Sequence, residues 1–221
     1  MDYSINKEYL PSKEIFNYKD FTKFIFNFCI GWSWDKLYKR EFVVENNLKF
    51  QNLRSTNDLF FVFLSLVLAD RISILDDILI THRYNRKNQL SETREQAPFC
   101  FIEAIYALQK ELENKNIYLE VEQSFIKFVV EFCSWQTGTL NRLLAKRVKK
   151  KLKQETFIKL KIFEKQDSYF YNQVSIDFLI KLFPEKYLYK NFMEKLFSVK
   201  ICRKRKYITI CGIRIRLKLL N

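Results

Sequence analysis

Glycine occurs only three times in 221 residues, at Gly31, Gly138 and Gly212. So few residues without a Cβ cannot build a G-x-G-x-x-G turn or a Walker loop. Both need clustered glycines so that backbone N–H groups can approach a phosphate closely. Histidine is scarcer still. The single His82 excludes H-E-x-x-H zinc sites and any two-histidine metal site, and a Ser-His-Asp or Cys-His nucleophile system would have to run through it. With 48% hydrophobic and 29% charged residues, the chain is that of a folded globular protein, with room for one ordinary domain or one domain plus an appendage.

Charge narrows the choice of partners. Thirty-nine Lys and Arg against 25 Asp and Glu give a net charge of +14, which attracts nucleic acid, anionic headgroups or phosphorylated substrates. The excess is concentrated in the second half. Arg142, Lys146, Arg147, Lys149, Lys150, Lys151 and Lys153 form one run; Lys200, Arg203, Lys204, Arg205, Lys206, Arg214, Arg216 and Lys218 form another. The five cysteines are odd in number and contain no C-x-x-C, which reads as reduced core thiols in a cytoplasmic protein rather than a disulfide framework. The longest apolar run, Leu59 to Ala69, contains Ser65 and as a helix spans only about half the hydrocarbon core of a bilayer. The N-terminus does not read as a signal peptide. A cytoplasmic protein is expected, with membrane contact limited to its surface on the inner face.

Periodicity predicts a mostly helical α+β protein. Residues 1–17 read as extended. Asp20 is placed to cap a short helix over Phe21 to Phe28, and a second short helix, Lys39 to Asn46, stops at Asn46-Asn47. Ser55 or Thr56 is the expected cap of an almost wholly apolar helix, Leu59 to Asp70, which must be buried on most sides. Ile72–Leu75 and Ile78–Tyr84 read as short strands around Asp76-Asp77, and a polar loop follows from Asn85 to Gln96. From Pro98 onward, Phe99–Asn114, Leu119–Trp135 and Leu140–Lys153 show helical spacing, with shorter helices expected near Ser175–Phe183 and Lys190–Leu196. Tyr207 to Leu219 alternates, with Ile213, Ile215 and Leu217 on one face and Arg214, Arg216 and Lys218 on the other. That pattern predicts a strand, and Arg203–Lys206 the turn of a terminal hairpin.

The segments W-D-K-L-Y-K-R-E-F-V-V-E-N-N-L-K-F (Trp34–Phe50), N-D-L-F-F-V (Asn57–Val62), R-I-S-I-L-D-D-I-L-I-T-H-R-Y-N (Arg71–Asn85) and Q-L-S-E-T-R (Gln89–Arg94) together resemble the latter half of the catalytic domain of family 2 glycosyltransferases, in particular bacterial enzymes of surface polysaccharide and lipooligosaccharide synthesis. The resemblance implies the C-terminal half of a GT-A-like α/β domain over 1–96, a helical appendage over 97–197 and a basic β-hairpin tail over 198–221. It also implies an inverting sugar transfer from a nucleotide sugar to a glycan or lipid-linked acceptor. Asp58 falls at the family's catalytic carboxylate, the base that takes the acceptor hydroxyl's proton, and a helix N-terminus would keep it ionised as a weak base. Read by itself, an acid there is more often an ordinary capping or first-turn dipole residue, and it is the resemblance that points to catalysis. Trp34, Asp35, Lys36 and Asn57 fall on the acceptor side. His82, Arg83, Arg86 and Arg94 fall on the loop that closes over the donor diphosphate, for which the guanidinium fork is suited.

The family's Asp-x-Asp, whose carboxylates hold Mg²⁺ or Mn²⁺ against the diphosphate, occurs nowhere in this chain. Asp76-Asp77 and Glu120-Val121-Glu122 lack its context. The expectation is a truncated or split enzyme, inactive alone, whose donor half belongs to a separate chain. Two other classes stay open. One is a basic module for an anionic membrane or nucleic acid, although no helix-turn-helix, RNP motif or zinc-finger spacing specifies bases. The other is a structural partner of a donor-binding chain.

Overall fold

The computed structural model describes residues 4–78, 80–81, 94–187, 197–202, 205–210 and 213–218. The chain divides into two compact units, Met1–Tyr171 and Asn172–Asn221.

The first unit is built around helix α2 (Leu59–Leu68), which is apolar on every side and buries seven of its apolar residues, Leu59, Phe61, Val62, Phe63, Leu64, Leu66 and Val67. Its one polar side chain, Ser65, satisfies itself by donating to the Val62 carbonyl at 2.7 Å. Helix α3 (Cys100–Asn114) lays Phe101, Ile105, Leu108 and Leu112 into the same core at helical spacing. Helix α4 (Tyr118–Gly138) adds Val121, Phe125, Phe128 and Val129. The short α1 (Arg40–Glu45) precedes α2. After α4 come α5 (Arg142–Lys151), a π turn (Leu152–Thr156) and the single turn α6 (Phe157–Lys159).

The expected boundary at 96/97 is absent from this core. Phe26 and Phe63 from one side of it meet Phe125 and Phe128 from the other, with ring centroids 4.4 to 6.4 Å apart.

Scarce glycine shows at the helix ends. Helices α1 and α3 both stop in Schellman motifs. Asn47 and Asn116 take the left-handed positions at φ 48° and 59°, and Leu48 and Ile117 donate back to Val43 and Leu112 at 3.0 and 2.9 Å. Asparagine tolerates that conformation best among residues with a Cβ. Lys161 (φ 53°) and Thr56 (φ 62°) occupy it as well.

The N-terminal segment differs most from expectation. Residues 21–28 form successive turns instead of a helix, because distant partners capture their backbone. Phe26 N–H donates to Ser124 Oγ of α4 at 2.9 Å, and the Phe28 carbonyl accepts from Asn6 N–H. Asp20 caps no helix over 21–28; it closes the 3₁₀ turn Tyr18–Asp20, where its carboxylate accepts from the Asn17 N–H at 3.0 Å in a capping box with the Asn17 side chain. Ile72–Leu75 is likewise no strand beyond one antiparallel bridge from Ile72 to Phe16, and Leu75 is exposed. Residues 79 and 82–84 of the second expected strand lie outside the described residues.

One buried cation fastens this segment. Lys127 on α4 is fully buried, and its Nζ donates to Tyr9 Oη at 2.9 Å. The same ammonium lies 4.2 Å from the centroid of the Tyr9 ring, 4.4 Å from that of Tyr171 and 5.8 Å from that of Phe24. Glu131 stands 3.9 Å away on the solvent side. Glu122, one turn earlier in α4, accepts from Lys165 Nζ and Tyr169 Oη, both at 2.8 Å, and so ties down the end of the unit.

In the second unit, helix α7 (Gln173–Leu182) is capped by the Asn172 side chain, which accepts from Ser175 N–H at 2.9 Å. The expected helix at 190–196 lies outside the described residues. The tail forms three strands in place of a two-stranded hairpin: β1 (Phe197–Cys202), β2 (Arg205–Ile210) and β3 (Ile213–Lys218), paired as an antiparallel meander. The long alternating run therefore folds back on itself, with Ile210 opposite Ile213.

Lys127→Ala is expected to cost about 3 kcal/mol, because it leaves a cavity among the rings of the cage. Lys127→Met, which keeps the volume and removes the charge, should cost no more than about 1 kcal/mol. Urea midpoints of the two variants check this ordering.

Candidate active site

The N-terminus of α2 is where the sequence-predicted carboxylate stands, and the segment after Gly31 is pressed against the same helix. A Cβ at residue 31 would come 2.9 Å from Phe63 Cε2, so glycine is required by close approach. From there the chain is held by Lys36. Its Nζ donates to the carbonyls of Ile30 and Trp32, both at 2.8 Å, and to Asp35 Oδ1 at 2.7 Å. An ammonium has three donors, and all three have acceptors within the protein. The Asp35 and Lys36 side chains are only 13% and 15% exposed, so the pair is an internal strut. Trp32 and Trp34 stack at 4.6 Å and 22°, and Trp34 keeps an exposed face.

Asp58 is the N-cap residue of α2 and is half-buried, and its side chain makes no capping hydrogen bond. Neither Ser55 nor Thr56 caps the helix. Thr56 instead takes a left-handed backbone immediately before the Asn57-Asp58 pair, a costly conformation for a β-branched residue. The Asn57 carbonyl accepts from Gln51 N–H at 3.1 Å.

Burial acts on Asp58 against the helix terminus. Burial raises its pKa above 3.8, against the pull of the backbone N–H groups of Asp58 and Leu59 and the charge of Lys36. Desolvation outweighs the dipole here, and the carboxylate is a stronger base for it.

The sequence reading gave no role to Tyr38. Burial pushes its hydroxyl up to about 12, and Asp35 and Asp58 add to the rise while Ser65 opposes it. The phenol therefore lies in the field of both carboxylates. The only advance signal was its place four residues after Trp34. Cys29, also beside the strut, is pushed up to about 11 by burial and is no nucleophile. A cavity of about 670 Å³ abuts the strut. Ser4, Ile5, Asn6, Lys7, Asn27, Phe28, Cys29 and Ile30 line it.

Of the residues assigned to the donor loop, His82, Arg83 and Arg86 lie outside the described residues. Arg94 is described, and its guanidinium sits 4.6 Å above the Trp135 ring of α4, where burial lowers its pKa. Its neighbour Gln96 accepts from Arg54, so this end of the loop is tethered beside the turn that leads to Asp58.

A divalent ion needs several converging oxygen ligands. Among the described residues no group of three or more His, Cys, Asp or Glu is placed to hold one, and Asp35 is committed to Lys36. These residues do not fit a resident Mg²⁺ or Mn²⁺. No helix among them is long and apolar enough to cross a membrane.

The chain is similar to the cholesterol galactosyltransferase of Borreliella burgdorferi (strain ATCC 35210 / DSM 4680 / CIP 102532 / B31), with 26% identity over 127 residues. The match takes in 56% of this chain and 35% of that protein, so the chain spans about a third of the length of the relative it matches. No protein-family model and no solved structure matches it. The chain is distantly related to a glycosyltransferase.

Because burial raises the Asp58 pKa, the folded state favours the protonated carboxyl. That contribution is fully present below 3.8 and is lost as pH rises through the raised value. Asp58→Asn should therefore be more stable than the parent at pH 7, by on the order of half a kcal/mol after screening at a partly exposed site. The difference should close as the pH falls below 3.8, the ordinary aspartate value. Thermal melts across pH 3 to 8 measure it, roughly spanning the range in which a carboxyl titrates.

Proposed function

We propose that this chain carries the acceptor side of a glycosyltransferase, with Asp58 as the base. The acceptor hydroxyl oxygen bonds to the anomeric carbon of a nucleotide sugar as the bond from that carbon to the diphosphate breaks. The nucleoside diphosphate leaves with the electron pair, and the hydroxyl proton passes to the Asp58 carboxylate. Attack opposite the leaving group inverts the configuration. The observation that carries this reading is a half-buried carboxylate raised by desolvation at the head of α2, in a chain distantly related to a glycosyltransferase. A base need be only moderately strong, because the hydroxyl acidifies as it meets an oxocarbenium-like centre.

The acceptor in this reading presents its hydroxyl on an apolar body. The relative's named acceptor, cholesterol, is of that kind. The segment leading to α2 leaves Leu37 81% exposed, with Val44, Phe50 and the Trp34 face also open, and the cavity beside the strut is lined by Ile5, Phe28 and Ile30 among others. With no Asp-x-Asp in the sequence, the donor diphosphate is held by another segment or chain.

Two measurements test this. Titration calorimetry with UDP- and GDP-sugars and Mn²⁺ should show no saturable heat in the micromolar range; a metal-dependent signal there removes the separate donor half. Tryptophan fluorescence with sterol or glycolipid acceptors in detergent should report binding that Trp34→Ala weakens at least about tenfold, through the loss of an aromatic face. Asp58→Asn should bind the same acceptors unchanged and, once a donor half is supplied, transfer about a thousandfold more slowly. Acceptor binding indifferent to Trp34, or transfer indifferent to Asp58, would sink the assignment.

A further inference from the structure

The outer face of α5 is a strongly basic surface that the reading above does not use. Along α5 and the π turn, the half-buried Leu144 and the buried Val148 and Leu152 recur every four residues and form the core-facing stripe. Everything opposite is open. Arg142, Lys146, Arg147, Lys149 and Lys150 are exposed, and none of the five forms an ion pair among the described residues. Residues 142–154 contain no acid. Glu155, the first to follow, is paired with Lys151 at 2.5 Å. At the other end Glu95 is held by Asn141, accepting from its backbone N–H at 2.7 Å and its amide at 2.9 Å. The positive face is therefore bounded by one carboxylate paired with Lys151 and one hydrogen-bonded to Asn141, and none of its five cations is ion-paired among the described residues.

Two apolar side chains interrupt it. Leu143 is 71% exposed and lies at i, i+3, i+7 spacing with Lys146 and Lys150. Ile158, on the α6 turn that continues the helix, is also exposed.

We propose that this face docks the protein on an anionic lipid surface. Long basic side chains around protruding Leu143 and Ile158 suit a headgroup layer, where ammonium and guanidinium groups meet lipid phosphates and the apolar tips enter the acyl boundary. Nucleic acid is the less favoured occupant. The exposed face of α5 has no aromatic side chain on which a base could stack, and an exposed leucine gains nothing against a phosphate backbone. The helix lies along its own buried stripe, so its basic residues present a side-on surface to a flat partner. This docking requires neither Asp58 nor sugar transfer, so it stands or falls apart from the proposed function.

The experiment is co-sedimentation of the full chain with vesicles of phosphatidylcholine alone and of phosphatidylcholine mixed with phosphatidylglycerol. The unmutated protein should sediment with the mixed vesicles only, and its binding should fall steeply as salt is raised. Replacing Arg142, Lys146, Arg147, Lys149 and Lys150 together by Gln should weaken that partition at least about thirtyfold, with an unchanged circular dichroism spectrum. Leu143→Ser alone should weaken it severalfold with no change in salt dependence. Replacing Arg214, Arg216 and Lys218 by Gln should leave most of the binding in place. Equal binding to neutral vesicles overturns the proposal, as does binding lost with the β3 variant but kept with the α5 variant. Tighter binding to an RNA or DNA oligonucleotide than to mixed vesicles at matched phosphate concentration also overturns it. Should the five-fold variant not fold, the Leu143→Ser effect and the β3 comparison decide.

Discussion

A lysine ammonium with no access to water holds the first unit together. Stripping Lys127 of solvent is expensive. The cost is offset by one hydrogen bond to Tyr9, the negative faces of two tyrosine rings and, farther off, Phe24 and a glutamate on its own helix. The ring donors come from opposite ends of the unit, at residues 9, 24 and 171, so the cage closes only when both ends have reached α4. The N-terminal segment is also held by Ser124 and Asn6 at Phe26 and Phe28, and farther along Gly31 packs against Phe63 next to the carbonyls that Lys36 binds.

The second lysine does for the candidate site what the first does for the fold. Lys36 binds two carbonyls and Asp35, and its charge also reaches Asp58. The two carboxylates are thus treated differently. Asp35 is in direct contact with the cation, whereas the half-buried Asp58 feels it at a distance and is raised by desolvation. Tyr38, between them in influence, belongs to the same electrostatic unit.

Much of the helical frame was legible in the sequence, because α3, α4 and α5 each bury a stripe at helical spacing that the periodicity reports directly, and α2 is an unbroken apolar run. Asn46-Asn47 likewise announced the end of α1. What escaped was whatever depends on residues far apart in the chain. Phe21, Ile25 and Phe28 repeat with the same spacing as a helix, yet a serine about a hundred positions later takes the backbone donor. Lys127, inside Phe125-Ile126-Lys127-Phe128, reads as an outward charge, since nothing local shows three aromatic rings waiting for it. For Asp58 the position at a helix start was legible and the direction of its titration was not. Dipole and desolvation oppose one another there, and only the depth of burial decides between them. The tail kept its alternation, but a period of two continues unbroken through a reversal, so the third strand was invisible to it.

The left-handed turns at Asn47, Thr56, Asn116 and Lys161 have a counterpart in the unfolded chain. Each is a place where a glycine would fit without steric cost, and each keeps a side chain instead. A glycine would relax the native backbone there, but it would also widen the range of conformations open to the denatured ensemble. By keeping Cβ atoms at these four positions the protein accepts local strain in the folded state and begins from a stiffer disordered state. It therefore has less conformational entropy to lose when it orders.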